Sequence, residues 1–377
     1  MVVLFIICCS LLFYIIFGYP IVIYLRALIR PMVVEKNNDL MVPVSIIICA
    51  KDEEQQIADR IENILGLDYP QELVELIIVS DGSNDRTDEI VSSYADKRVR
   101  LIALENASGK AVAINTGVQA ATNQYLIFGD ARQTFEKDVI QKLLAYFHDP
   151  SVGAVSGRLV LQPKSSSTAG EGVSSYWNYE VWLRSQESKS GSVIGVTGAI
   201  YALKKSMFEK IPAGTILDDV LIPMNAILKG IRIIYEQDAI AYDSKIVTDK
   251  NELNRKTRTL YGNLQLLSLK HELFLPWKYP AWWRFVSHKI LRLFLPFLLF
   301  GLLVSSLLAG GLLTVIGTVQ VVFWIGAIFS ILSSSSGLLK NSLGGFLLLN
   351  ISLINAWHKW LSRNNNLWLE SSSKIVE

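Results

Sequence analysis

Apolar and polar positions divide the chain into three regimes. Residues 2–25 and 293–336 are apolar runs without a charged residue, while the stretch from about 44 to 269 alternates short apolar runs with segments of globular polarity. About twenty apolar residues suffice to cross the roughly 30 Å hydrocarbon core of a bilayer, so the first run predicts one span and the second is long enough for two. In the middle, the β-branched run 44–48 is followed by Asp52, Glu53 and Glu54, then by Ile57, Ile61, Ile64 and Leu65 at helical spacing. That order predicts strand, loop and amphipathic helix. The pattern repeats as a strand over 73–79 ending at Ser80-Asp81-Gly82-Ser83, a helix over 87–94 and a strand over 99–104. A helix opened by Gly109-Lys110 and a strand over 125–130 ending in Gly129-Asp130 follow. Nearly all-apolar strands alternating with helices predict an α/β fold with a mostly parallel sheet covered on both faces.

Beyond a helix over 138–147 the pattern changes. A strand over 152–160 precedes a polar loop over 163–172, and a helix over 173–184 carries Tyr176, Trp177, Tyr179 and Trp182 as packing aromatics. Thr197-Gly198-Ala199 lies between strand-like runs within 193–203, and Asp218-Asp219 precede a short helix ending near Gly230, with Pro223 early in it. Short strands are expected over 231–235 and 239–242, then a helix over 252–270 carrying Arg255, Lys256 and Arg258. The segment 276–289 mixes Trp277, Trp282 and Trp283 with Lys278, Arg284 and Lys289, as a helix lying in a membrane interface would. A third C-terminal apolar run, 343–356, is short and contains Asn350 and Asn355. The expected organisation is therefore a span over 1–26, a catalytic-sized domain over 44–250, interface helices over 251–290, and two or three spans over 291–360.

Of 377 residues 51% are hydrophobic and 19% charged, an apolar excess that the ends account for. No Lys or Arg precedes the first apolar run, and Arg26, Arg30 and Lys36 follow it, which favours an anchor over a signal peptide and puts the middle in the cytoplasm. Lys278, Arg284, Lys289 and Arg292 before the next span agree, and Lys359, Arg363 and Lys374 prefer the same side. A net charge of +2 argues against nucleic acid as a dedicated partner. Cys8, Cys9 and Cys49 make no disulfide framework, and the four histidines have no metal-ligand spacing.

The chemistry-bearing residues fall at the carboxyl ends of successive predicted strands or just beyond: Asp52 and Glu53, Asp81, Lys110, and Asp130 with Arg132. A parallel sheet gathers those ends along one edge, where open α/β sheets bind ligands. Carboxylates mixed with cations suit a nucleotide diphosphate bridged by a hard cation, although Gly129-Asp130 taken alone reads as a strand ending in a turn.

Four runs, VSIIICAKDEE (44–54), IIVSDGSNDRT (77–87), GKAVAINTG (109–117) and YLIFGDAR (125–132), resemble successive signatures of the inverting family 2 glycosyltransferases. VGAVSGRL (152–159), TGAIYALK (197–204), LDDVLIP (217–223) and RKTRTLYGNLQLL (255–267) continue the match in order, and the flanking spans resemble the membrane-integrated branch that includes cellulose, chitin and hyaluronan synthases. The resemblance covers about 44–269. It implies a GT-A-like nucleotide-sugar-binding fold, a loosely held divalent cation such as Mg²⁺ or Mn²⁺, a nucleotide-sugar donor, UDP-linked by that likeness, and a glycan or lipid-linked acceptor among membrane lipids. By position it implies nucleoside contacts from Asp52, Glu53 and Asp81, with Asp81 at a uracil ring, and places Lys110 near the diphosphate. Asp130 would be the first metal aspartate, Gly198 and Arg255 part of the substrate site, Asp219 the catalytic base beside Asp218, and Arg258 a cation at the leaving group. Asp218 could equally be a helix N-cap, and Arg255 with Arg258 a solvated or lipid-headgroup face.

Two departures stand out. Arg132 replaces the second metal aspartate and could contact phosphate directly. Arg255 and Thr259 replace the glutamine and tryptophan of the family's Gln-x-x-Arg-Trp motif, and that tryptophan forms part of the acceptor site in processive members. Transfer to a polyprenyl phosphate and a non-catalytic sugar-nucleotide sensor are the alternatives. Spans without charges or breaks speak against a transporter, and Ala111 after Gly109-Lys110 against a P-loop ATPase.

Overall fold

The computed structural model describes residues 1–161, 169–243, 249–332 and 338–362. Its centre is one sheet of eight strands: β1 (Val44–Ala50), β2 (Val74–Asp81), β3 (Val99–Leu104), β4 (Tyr125–Asp130), β5 (Thr134–Phe135), β6 (Val152–Leu161), β7 (Ile200–Lys204) and β8 (Arg232–Asp243), in the order β3-β2-β1-β4-β7-β6-β8-β5. The half that reads as strand-helix alternation is parallel: β1 pairs with β2 and β4, and β2 with β3. Cys49 sits beside Asp130, and Ala50 beside Ser80, so these strands end along one edge.

Period-two alternation sends Ile47, Val79 and Phe128 into one core and Ile46, Ile48, Ile78 and Ile127 into the other. The first core is covered by α5 (Lys110–Ala120), α8 (Asp218–Leu228) and α9 (Asp249–Leu269), the second by α3 (Ile57–Leu65) and α6 (Val139–Leu144). In α3 the residues expected to face inward, Ile57, Ile61 and Ile64, are buried.

The sheet is mostly parallel as expected, and three details go beyond the sequence reading. The sheet turns mixed after β4, because β7 runs antiparallel to both β4 and β6. The two short strands expected over 231–242 are a single strand, β8, whose register with β6 shifts between the pairs Ser156–Tyr235 and Arg158–Ile240. The polar Glu236 that interrupts the apolar run is buried there, accepting from the Tyr146 hydroxyl and ion-paired with Lys36 at 2.7 Å. The helix expected over 173–184 is longer, α7 (Ala169–Lys189); part of the polar loop expected before it lies outside the described residues, as do the side chains of Tyr176 and Trp177 and the tail containing Arg363 and Lys374.

At the N-terminus α1 (Val2–Phe13) and α2 (Tyr19–Ile29) are joined by a π turn over Tyr14–Gly18, where the Tyr19 amide reaches back to the Tyr14 carbonyl just before Pro20. Among the described residues two helices are long and apolar enough to cross a membrane, Val2–Ile29 and Leu312–Ser330; Trp282–Leu293 and Leu295–Ala309, bent by 62°, would make a third if taken as one span. Trp277 is 77% exposed, but much of the expected interface segment is buried: Tyr279, Arg284, Phe285 and His288 all face inward. Arg284 donates to the carbonyls of Glu187 at 3.1 Å and Ser190 at 2.6 Å, and His288 sits between Glu187 at 2.8 Å and Glu180 at 3.0 Å. These polar contacts with α7 draw the segment into the protein. The first span joins the same cluster, since Tyr19 donates to Glu187. The run 343–356 lies within the helix Leu338–Leu361, which packs along α9 through Leu353 and Ala356.

Candidate active site

The site forms where β1, β2 and β4 end and the loops into α5 and α8 begin. Asp130 closes β4, and the glycine before it is required by close packing. A Cβ on Gly129 would come within 2.6 Å of the buried Arg60 guanidinium and 2.8 Å of the Phe135 ring. Lys110, the first residue of α5, sets its Nζ 2.9 Å from Asp130 Oδ1 and 3.6 Å from Asp218 Oδ2. One ammonium therefore bridges carboxylates that the sequence places 88 positions apart (218 minus 130). Burial raises the Asp130 carboxyl, but Lys110 and then Arg132 outweigh it and hold the group below its usual range.

Asp218 and Asp219 open α8, where the helix dipole favours negative charge. The N-cap position is Leu217, with no side-chain capping bond, so Asp218 is not the cap; its carboxylate turns to Lys110 instead. Asp218 is raised by burial, against the opposing charge of Lys110. Asp219 is pushed up to about 6, by burial first and then by Asp218, with Lys110, Lys289 and Arg184 acting the other way. A carboxyl near 6 can both take and return a proton around neutral pH. The turn holding Gly198 lies against it: a Cβ there would be 3.2–3.5 Å from three atoms of the Asp219 side chain. That turn is anchored by the Val196 amide to the Asp219 carbonyl at 2.9 Å, by the Thr197 amide to Ser156 Oγ at 2.9 Å, and by Arg184 Nη1 to Thr197 Oγ1 at 2.7 Å.

The remaining expected residues are less uniform. Asp52 adopts a left-handed backbone (φ 53°), which Asp tolerates better than most residues, and its Oδ1 accepts from the Asn84 amide at 2.8 Å. The Glu53 amide donates to Thr87 Oγ1 at 2.9 Å, so both acids sit where the β1 and β2 loops are tied together. Asp81 is 3% exposed, and its two oxygens accept from the amides of Ser108 at 2.6 Å and Gly109 at 2.8 Å. In this structure that carboxylate anchors the loop delivering Lys110 rather than facing open solvent. Arg132 points Nε to Asp243 Oδ2 at 3.0 Å and leaves Nη2 4.0 Å from Asp130. Arg258 and Arg255 are exposed on α9; the charge of Arg258 acts on Asp218, while Arg255 accepts at its carbonyl from Thr259.

Cys49, Tyr201 and Gly198 line the same cleft as Lys110 and Asp218. Burial pushes the Cys49 thiol up to about 12, which keeps it protonated and removes it as a nucleophile. Arg184, Asp243 and Tyr201 were not anticipated. Arg184 lay in a helix read for its aromatics, Tyr201 in an apolar strand, and Asp243 just past one; only the end of a strand, for Asp243, was a usable signal.

The α/β sheet, with acids and a lysine at its carboxyl edge, has a GT-A-like arrangement. Residues 45–211 match the family model described as glycosyl transferase family 2, and the chain carries a family 2 glycosyltransferase domain over that stretch. Among curated relatives, a poly-β-1,6-N-acetyl-D-glucosamine synthase of Staphylococcus aureus (strain COL) is 28% identical over 211 residues, 55% of this chain and 51% of the relative. A synthase of the same name from Staphylococcus epidermidis is 26% identical over 218 residues, 56% of this chain and 52% of the relative. The chain thus spans about half the length of the curated relatives it matches. In fold it is similar to a mannosyltransferase from Pyrobaculum calidifontis in complex with GDP-Man and Mn²⁺, with a TM-score of 0.69 at 22% identity over 96% of this chain and 99% of that one.

Proposed function

We propose that this glycosyltransferase works at a membrane surface and moves a sugar from a nucleotide-sugar, UDP-linked in the first instance, to a glycan or lipid-linked acceptor with inversion at the anomeric carbon. The observation that carries the reading is the convergence of Lys110, Asp130, Asp218 and the raised Asp219 at one sheet edge. Asp219 removes the proton of the acceptor hydroxyl as it attacks, and Asp218 keeps its partner's carboxyl basic by proximity. Lys110, with Arg258 and Arg255 from α9, meets the charge gained by the departing diphosphate. Asp52 and Glu53 edge the nucleoside pocket, and Asp81 shapes it through the loop it holds. Arg132, half-exposed beside Asp130, faces the phosphates.

Among the described residues no three His, Cys, Asp or Glu side chains gather as a metal cage. The donor set fits a cation held loosely by Asp130 and completed by diphosphate oxygens, and the relative of similar fold was solved with Mn²⁺. When bound, such an ion would neutralise part of the diphosphate charge. The four-domain layout expected from the sequence, with the catalytic middle in the cytoplasm, belongs to the same proposal. It is supported by apolar helices at both ends.

A lipid-phosphate acceptor is the second reading, favoured by Lys289 and Arg184, two cations whose charges act on Asp219. Mass spectrometry of lipid extracts after incubation with labelled donor separates the two acceptors. The base assignment is tested with Asp219→Asn: the variant keeps donor binding and loses turnover by about a hundredfold or more. Because the base must be ionised, turnover of the unmodified enzyme rises with pH through about 6. Unchanged turnover in the variant, or a flat profile from pH 5 to 8, would remove Asp219 as the base.

A further inference from the structure

Tyr201 presents a buried hydroxyl that the fold does not use. The residue is 1% exposed, lies directly beside Phe128 in the β4–β7 register, and stacks its ring on Phe128 with centroids 4.6 Å apart and planes 13° from parallel. Among the described residues its phenol oxygen has no hydrogen-bond partner. A buried hydroxyl left unpaired destabilises a fold, and phenylalanine would make the same stack without that defect. The side chain lines the cleft shared by Lys110, Gly129, Gly198 and Asp218, so the unpaired group stands at the site rather than in the distant core.

We infer that the Tyr201 hydroxyl binds the donor sugar, donating a hydrogen bond to a sugar hydroxyl that in turn donates to the Asp218 carboxylate. Charge decides between the parts of the donor. Burial, and then the negative charges of Asp218, Asp219 and Asp130, hold the phenol well above its ordinary range, so it is an O–H donor at any working pH. The negative charges of these carboxylates, which act on the phenol, disfavour an anionic phosphate oxygen beside it. A neutral sugar hydroxyl can accept from the phenol and donate to a carboxylate at once. The diphosphate is better served nearer Lys110, the cation on the same cleft.

The inference rests on the chain being a nucleotide-sugar transferase, and the test distinguishes the two. Purified full-length protein and its Tyr201→Phe variant are melted alone and with UDP, GDP, UDP-N-acetylglucosamine, UDP-glucose or GDP-mannose. Ligand-free, the variant melts at the same temperature or about 2 °C higher, as expected for loss of an unpaired buried polar group. The sugar nucleotide that shifts the unmodified protein most binds the variant about tenfold more weakly, while the corresponding free nucleotide diphosphate binds both alike. A variant that melts clearly lower without ligand, or that keeps its sugar-nucleotide affinity, overturns the role of Tyr201. If no sugar nucleotide shifts the unmodified protein, the donor reading itself falls, and the sugar contact with it.

Discussion

Asp219 was legible as a residue and not as an environment. Its place in LDDVLIP pointed to a base, but a carboxyl raised to about 6 requires burial, Asp218 beside it and Gly198 against it, and Gly198 is 21 positions away in sequence (219 minus 198). Gly198→Ala tests that contact. A methyl 3.2–3.5 Å from atoms of the Asp219 side chain forces Asp219 to shift by a few tenths of an ångström, and general-base catalysis is sensitive to such displacement. The expected result is turnover lowered by about tenfold with sugar-nucleotide affinity retained; equal losses of both would show instead that the turn had collapsed. Arg132 makes the complementary point. Its identity announced a cation where the family has an acid, but its ion pair with Asp243 joins residues 111 positions apart and could not be read from either.

At the scale of elements, the strands and helices that build the site were readable because each apolar run is short, bounded by turn residues and followed by a 3.6-residue period. The start of α5 at Gly109-Lys110 was among them. What holds that start in place was not: Asp81, at the end of β2, captures the Ser108 and Gly109 amides with both oxygens. A hydrogen bond to a charged group contributes about 1.5–3 kcal/mol. Asp81→Ala is therefore expected to speed hydrogen exchange at the Ser108 and Gly109 amides by tenfold or more while leaving β1 amides unchanged. Protection that survives the substitution would show that the loop is held by other contacts. The segment 276–289, expected as an interface helix, shows the same limit: composition alone could not reveal that Arg284 and His288 find carbonyls and carboxylates at α7 and the residues just after it.

For the whole molecule, α12 (Leu295–Ala309) and α13 (Leu312–Leu332) pack on each other and α1 packs on α12, so helices from both ends of the chain form one apolar bundle. The bend of 62° before α12 follows Phe294 and precedes Pro296, whose ring cannot continue an upstream hydrogen-bond ladder. If the catalytic middle faces the cytoplasm, as proposed, the Gly310-Gly311 turn between α12 and α13 lies on the opposite side of the membrane. Leu312, 80% exposed beside that turn, is expected as Leu312→Cys to react with a membrane-impermeant maleimide on intact cells, whereas Ser93→Cys in the catalytic domain reacts only after lysis. The reverse labelling pattern would invert the proposed orientation.

The apolar ends, the parallel half of the sheet and the identities of the acids and Lys110 were readable along the chain, because they follow from local periodicity and from residues that lie within one strand, loop or helix start. Which of these residues meet was settled by the packing of distant segments. The antiparallel insertion of β7, the bridge of Lys110 between Asp130 and Asp218, the capture of Arg132 by Asp243 and the unpaired Tyr201 hydroxyl all depend on strand order and on burial. Those are properties of contacts between distant segments, and no window along the chain contains them.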